Sequence, residues 1–353
     1  MSQDFHIPTI TLVDSNSDEL ESTIKALRHA CENIGFFYLQ IHNNNNNNDA
    51  AAADDENIMM TSHFISKVFQ QSKQFFNLPR NIKEKFSNKV LNRGYTAMYE
   101  ETLDPTKQRM GDTKEGFYIS HDISMDSEYY NPAKLSGPNV WPTCNDDGDV
   151  DDDRFDLDCI VWKNTMNEYF EKMKRIGFRL VQLLALAIGL PEHYFDDKFN
   201  PPMAVLRLLH YSNQKSDPSN GIYACGAHSD YGMVTLLATD ENPGLQILVD
   251  NNDNKEIWID VDPPPTGVFI VNLGDMLERW TNGKFKSTVH RVICSGETER
   301  YSIPFFYEPN FDTVVECLET CIDQGEKPKY ESTTAGEHLL SMYNQTHADF
   351  QSK

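Results

Sequence analysis

Ala227-His228-Ser229-Asp230-Tyr231-Gly232-Met233-Val234-Thr235-Leu236-Leu237 is the stretch on which the reading of this chain turns. It is rich in β-branched and aromatic residues, so a strand is the expected state. A strand's period of two would put His228 and Asp230 on one face, where both can point at one ion. A further imidazole, His290, stands downstream in Ser287-Thr288-Val289-His290-Arg291-Val292-Ile293. Two imidazoles and one carboxylate make the facial triad suited to non-haem Fe(II), which leaves coordination positions open for a cosubstrate and O2.

Ser295-Gly296-Glu297-Thr298 reads as a turn leading into Arg300-Tyr301-Ser302-Ile303. A hairpin symmetric about Ser295 would set His290 opposite Arg300, and directly paired residues share a sheet face. Arg300 and Ser302 would then line the metal's cavity, whereas a slip of one residue would turn Arg300 away. Arginine offers a planar fork of donors that grips a carboxylate, and Ser302 can add a hydroxyl. A carboxylate clamp beside a metal triad points to a keto-acid cosubstrate. A zinc hydrolase is the competing reading, since His and carboxylate also serve Zn2+. It leaves Arg300 and Ser302 without a task and supplies no evident general base.

Further stretches fall in a recognisable order. They are Ile7-Pro8-Thr9-Ile10, Gly35-Phe36-Phe37-Tyr38, Phe75-Phe76-Asn77-Leu78-Pro79, Asn92-Arg93-Gly94-Tyr95 and Gly137-Pro138-Asn139-Val140-Trp141-Pro142, then the His-x-Asp run, Pro243-Gly244-Leu245-Gln246, Asn272-Leu273-Gly274-Asp275, Asn282-Gly283, His290-Arg291 and Arg300-Tyr301-Ser302. As a set spanning nearly the whole chain, they resemble the 2-oxoglutarate and Fe(II)-dependent dioxygenases of the isopenicillin N synthase-like superfamily. The wording of Lys114-Glu115-Gly116-Phe117-Tyr118 and of residues 300–306 is similar to a branch with no firm substrate.

The resemblance implies that His228, Asp230 and His290 hold Fe(II), and that 2-oxoglutarate meets Arg300 and Ser302 through its distal carboxylate. It also implies a role for Tyr211. The family often carries Asn-x-Tyr-Pro ahead of the first histidine, and here the run is Leu209-His210-Tyr211-Ser212. The tyrosine is retained as a cosubstrate ligand, no role passes to Leu209, and His210 reads as a packing or surface imidazole. The implied reaction oxidises a small organic metabolite, usually by hydroxylation, consumes O2 and releases succinate and CO2, with ascorbate as a reductant. Tyr95, Lys114, Phe117, Tyr231 and Phe306 are the substrate-pocket candidates by their place in the matching stretches, each with a plain core or surface reading beside it. Lys114 would pair with a substrate carboxylate. Two alternatives remain: an iron oxidase of the same superfamily that needs no 2-oxoglutarate, and a binding module without turnover. Asn344-Gln345-Thr346 is similar to the glutamine-containing tail of such an oxidase, but seven residues follow it here.

Composition agrees with these limits. The 353 residues are 39% hydrophobic, enough for a substantial core. Fifty-four acidic against 31 basic residues give a net charge of -23, which argues against nucleic acid or an anionic membrane as partner. Seven scattered cysteines without paired metal spacing read as a reduced, cytoplasmic chain. No signal peptide is seen at the start, and no apolar run reaches the about 20 residues of a membrane span.

The expected fold is mainly β with flanking α: a double-stranded β-helix, or jelly roll, with N-terminal and packing helices. Residues 1–200 form an N-terminal α/β region, residues 201–311 the catalytic core, and residues 312–353 a C-terminal helical extension that covers one barrel mouth. Within the first region, the Asn-rich segment 43–56 and the acidic segment 145–153 read as disordered surface loops. Helices are expected after Ser17-Asp18, over residues 62–76, and over residues 155–188, where Phe170, Met173, Ile176, Leu180 and Leu184 form an apolar stripe. Pro304 implies an edge strand, a strand start or a bulge.

Overall fold

The computed structural model describes residues 6–41, 60–143, 157–250 and 255–346. The expected loops at 43–56 and 145–153, and Cys144, lie outside them. Six helices are described: α1 (Leu20–Asn33), α2 (Ser62–Phe76), α3 (Arg80–Lys83), α4 (Cys159–Ile188), α5 (Asp275–Trp280) and α6 (Ala335–Thr346). The strands up to the core are β1 (Thr9–Leu12), β2 (Phe36–Ile41), β3 (Ser87–Asn88), β4 (Arg93–Thr96) and β5 (Lys114–Ser120). Those of the core are β6 (Met203–Tyr211), β7 (Cys225–His228), β8 (Val234–Thr239), β9 (Leu245–Asp250), β10 (Glu256–Asp260), β11 (Val268–Leu273), β12 (His290–Val292) and β13 (Arg300–Glu308). A short pair, β14 (Val314–Val315) and β15 (Thr333–Thr334), follows.

Two sheets result, a major one in the order β1-β2-β11-β8-β13-β6-β5-β4-β3 and a minor one in the order β10-β9-β12-β7. This is the jelly roll that the sequence leads one to expect, with strands from both sides of residue 200 sharing the major sheet.

Helix α4 covers the outer face of the major sheet. Its N-cap is Asp158, whose carboxylate accepts from the Ile160 and Val161 amides, and it ends at Gly189 with φ 94°. The stripe Phe170, Met173, Ile176, Leu180 and Leu184 is buried, each such side chain being worth about 1.5–3 kcal/mol. Gly177 lets the helix lie on β13, because a Cβ there would fall 2.9 Å from the Tyr307 ring. Ser17 does not cap α1 by a side-chain bond into the helix; its Oγ accepts from the Glu19 amide at 3.2 Å, and its carbonyl accepts from the Leu20 amide at 3.1 Å.

Four expectations need correction. The run 227–237 is not one strand: β7 stops at His228, and β8 begins at Val234 in the other sheet. Between them the Asp230 and Gly232 carbonyls accept from the Asp275 and Met276 amides at the start of α5, so the backbone turns a corner instead of pairing with a strand. Nor do β12 and β13 form a hairpin. His290 pairs with His228 and Ile247 in the minor sheet, while Arg300 pairs with Tyr211 in the major sheet. Pro304 lies in the middle strand of the major sheet, opposite Leu237. It is tolerated where the β6 ladder lapses, between the pairs Ser302–Leu209 and Phe305–Leu206. Finally, Cys31, Cys225, Cys294, Cys317 and Cys321 are free thiols, but Cys159 is disulfide-bonded. No helix among the described residues is long and apolar enough to cross a membrane.

Candidate metal and cosubstrate site

His228 and His290 are cross-strand partners at the inner end of the minor sheet, with ring centroids 4.3 Å apart. Each Nδ1 faces a backbone carbonyl, that of Gly226 at 2.9 Å and that of Thr288 at 3.1 Å. A carbonyl only accepts, so each Nδ1 carries the proton and each Nε2 keeps its lone pair. Asp230 Oδ1 lies 3.6 Å from the His228 Nε2 and 3.8 Å from the His290 Nε2. One ligand atom from each of the three residues falls within 4.8 Å of the others, a spacing that can hold one metal ion.

The other oxygen of Asp230 is committed to the major sheet. Oδ2 accepts from Thr235 Oγ1 at 2.6 Å, on β8, and from Asn272 Nδ2 at 2.7 Å, on β11. This explains the Asn272-Leu273-Gly274-Asp275 motif: Asn272 aims the carboxylate, and the Gly274 and Asp275 amides bond back to Met233 and Asp230. A Cβ on Gly274 would stand 2.3 Å from the Gly232 carbonyl oxygen. Burial opposes the charge of Asp230, but His290, His228, Asn272 and Thr235 outweigh it and hold the carboxyl below its usual range. Burial, then His228, takes His290 down to about 4, keeping its imidazole neutral.

Arg300, Ser302 and Tyr211 line the same cavity as the three ligands, though by a different route from the expected hairpin. Arg300 Nε bonds to the Asn242 carbonyl at 3.2 Å, its guanidinium sits 5.0 Å from the Tyr211 ring centre, and Ser302 Oγ lies 3.4 Å from the Tyr211 hydroxyl. Arg300 Nη1 is buried and has no hydrogen-bond partner among the described residues. A buried guanidinium with an idle donor, beside two hydroxyls and a two-His-one-carboxylate set, fits an iron-bound keto acid whose far end is a carboxylate.

Comparison with known proteins agrees. The 2OG-Fe(II) oxygenase superfamily matches residues 202–309, and the non-haem dioxygenase N-terminal family, described from morphine synthesis, matches residues 7–144. The 2-oxoglutarate-Fe(II) type oxidoreductase hxnY of Emericella nidulans is 32% identical over 328 residues, 92% of this chain and 84% of that protein. Kihadalactone A synthase of Citrus sinensis is 33% identical over 351 residues, 97% and 94% of the two chains. This chain belongs to the 2-oxoglutarate and Fe(II)-dependent oxygenases. Among solved structures, a full-length Neurospora crassa protein in complex with alpha-KG and thymine superposes with a TM-score of 0.74 at 27% identity, covering 98% of each chain. As a member of this superfamily the protein is a 2-oxoglutarate-dependent dioxygenase, with Fe(II) as its metal and 2-oxoglutarate and O2 as cosubstrates.

A second chamber adjoins the first in this dioxygenase, sharing Leu103, Arg207, His228, Asp230 and Phe306. Tyr231 and Phe306 of the sequence candidates line it. Tyr95 and Phe117 do not reach it. The alternation of β5 turns Lys114, Gly116 and Tyr118 inward, and it turns Glu115 and Phe117 toward the helices. Phe117 packs on Phe75 and Trp162, while Tyr95 donates to Glu115 at 2.6 Å. Lys114 lines the first cavity and not this chamber. It is buried, bonded to Asp112, and 3.0 Å from Glu101; these acids overcome burial and keep it charged. His210 is a core imidazole, bonded through Nδ1 to the Glu115 carboxylate at 2.8 Å and stacked on Tyr301. Sequence reasoning missed Tyr118, Arg207, Glu308 and Tyr343 in the chamber wall; strict alternation from Lys114 would have found Tyr118. Leu339 and Tyr343 of helix α6 line the chamber, the latter 6.1 Å from Tyr231 between ring centres.

Proposed function

We propose that His228, Asp230 and His290 carry Fe(II), that Arg300, Ser302 and Tyr211 receive the distal carboxylate of 2-oxoglutarate, and that the adjoining chamber admits a small organic metabolite for hydroxylation. The observation that supports this most is the idle, buried Nη1 of Arg300 in the cavity bounded by the three ligands. Iron and 2-oxoglutarate, once bound, supply oxidation of a C–H bond, with O2 consumed and succinate and CO2 released.

The protein's own residues orient and shield. Thr235 and Asn272 hold Asp230 so that Oδ1 faces the imidazoles. Burial keeps the Tyr211 phenol protonated, and thus a donor. Tyr231, Tyr343 and Leu339 give the chamber an apolar and aromatic wall. A small-molecule substrate accords with the relatives, one named as Kihadalactone A synthase and another solved with thymine.

The test is anaerobic reconstitution with Fe(II) and 2-oxoglutarate, then a metabolite-extract screen for succinate release on exposure to O2. A stimulating metabolite that gains one oxygen atom supports the reading, whereas 2-oxoglutarate binding without turnover favours a binding module. Arg300→Ala is expected to keep iron yet weaken 2-oxoglutarate by roughly 1.5–3 kcal/mol, about tenfold to a hundredfold, in a calorimetric titration.

A further inference from the structure

The inner face of β13 changes sign along its length. Arg300, Ser302, Pro304, Phe306 and Glu308 share that face by the strand's period of two, with Arg300 at the cosubstrate end and Glu308 in the outer chamber. Glu308 is buried, and its Oε2 accepts from the Met233 amide at 2.6 Å. Its Oε1 has neither a hydrogen-bond donor nor a cation among the described residues. Arg207 lines the same chamber from β6. Its Nη2 meets Glu101 Oε1 at 2.5 Å, its guanidinium lies 4.4 Å from the Tyr118 ring centre, and its Nε is buried and unpartnered beside Gly116. Nη1 makes no hydrogen bond among the described residues. The chamber therefore holds an unused acceptor on Glu308 and an unused donor on Arg207.

The two groups differ in charge balance. Arg207 is matched by Glu101, and Lys114 by Asp112. In the loaded enzyme, Fe(II) and Arg300 carry as much positive charge as Asp230 and doubly ionised 2-oxoglutarate carry negative. Glu308 is then the one lining group without an opposite. A guest with a single positive charge supplies it, and a buried charge is tolerated where it is paired and hydrogen-bonded. Burial takes the Glu308 carboxyl up to about 8, still below the about 10 of an aliphatic ammonium, so an entering amine holds the proton and the pair is ionic. Tyr231, Phe306 and Tyr343 add aromatic rings, which attract an ammonium. At Arg207 a neutral oxygen gains a hydrogen bond from Nη1. A carboxylate there would share the guanidinium with Glu101 and leave negative charge in excess.

We propose that the outer chamber selects a cationic amine, with its ammonium on Glu308 and a neutral oxygen of the same molecule on Nη1 of Arg207. This rests on reading the outer chamber as the substrate's place. The selection belongs to that chamber alone, since Arg300 at the other end is suited to an acid.

Four probes separate the contacts: tyramine carries both groups, phenethylamine lacks the oxygen, 4-ethylphenol lacks the amine, and 3-(4-hydroxyphenyl)propionate has a carboxylate in the amine's place. Under argon, 2-oxoglutarate is titrated first into the Fe(II)-loaded enzyme, and each probe then follows by calorimetry. Tyramine is expected to bind at least about tenfold more tightly than 4-ethylphenol or the acid, and roughly two- to tenfold more tightly than phenethylamine. Glu308→Gln keeps an acceptor for the Met233 amide and leaves 2-oxoglutarate affinity unchanged, yet brings tyramine to within a few-fold of 4-ethylphenol. Equal or tighter binding of 4-ethylphenol or the acid, no binding by tyramine, or an unchanged tyramine preference in Glu308→Gln would overturn the proposal. Phenethylamine binding as tightly as tyramine would overturn its Arg207 contact. If 2-oxoglutarate failed to bind the wild type, the reading of the cosubstrate site would fall and this one with it, whereas 2-oxoglutarate binding with another order of probes removes this one alone.

Discussion

At the scale of single residues, the proposed metal site depends on side chains outside the ligand set. Thr235 and Asn272 occupy Oδ2 of Asp230 and leave Oδ1 to the imidazoles. Thr235→Val and Asn272→Ala are each expected to lower Fe(II) affinity by roughly 10–100-fold without unfolding the chain, as read by anaerobic metal titration beside circular dichroism. Glu308 provides a pH signature. Burial pushes its carboxyl up to about 8, with Asp230 and Asp275 adding to the shift and the Met233 amide opposing it. A carboxyl raised on folding contributes stability that is present below its unfolded value and is lost as pH rises through the folded one. Metal-free wild type should therefore lose stability, on the order of a few kcal/mol, between about pH 4.5 and 8 relative to Glu308→Gln. Melting temperatures of the two proteins across that range check it, and parallel curves would refute it.

At the scale of elements, the sequence made legible the three residues proposed to hold the metal but not the path of the backbone between them. The spacing His228-x-Asp230 is compatible with two inward residues of a strand and equally with a strand end followed by a corner. Only the bonds from Asp275 and Met276, more than forty residues on, choose the corner. In the same way the turn chemistry at Ser295-Gly296 suggests a hairpin, yet the partners of His290 and Arg300 lie far back in the chain and in opposite sheets. The apolar stripe of α4 was legible because it repeats within one element. The sheet-side assignment of β5 was not, because Lys114 and Phe117 were both chosen although an odd spacing puts them on opposite faces. The corner itself is testable at Gly232, where an added Cβ would fall 1.5 Å from the Glu308 carboxyl. Gly232→Ala should destabilise the protein by about 1–3 kcal/mol and weaken iron binding, since it displaces a loop two residues from Asp230. Glu308→Ala in that background should restore much of the loss in a double-mutant cycle, and simple additivity would contradict the account.

At the scale of the whole molecule, the centre joins the two layers of the jelly roll. His228 and His290 come from the minor sheet, and Asp230 is held by β8 and β11 of the major one. A metal on these three groups links both layers, and binding to the folded state alone raises stability by mass action. The net charge of -23 is no obstacle to an anionic cosubstrate, because buried cations, Arg300 with an unpaired donor among them, line the cavity. The measurement that bears most directly on this is iron stoichiometry with melting temperature, under anaerobic conditions, for the wild type and for His228→Ala, Asp230→Ala and His290→Ala. The account predicts one Fe(II) per wild-type chain with a rise in melting temperature, and neither in the three folded variants. Iron uptake and stabilisation equal to the wild type in any of the three would contradict it.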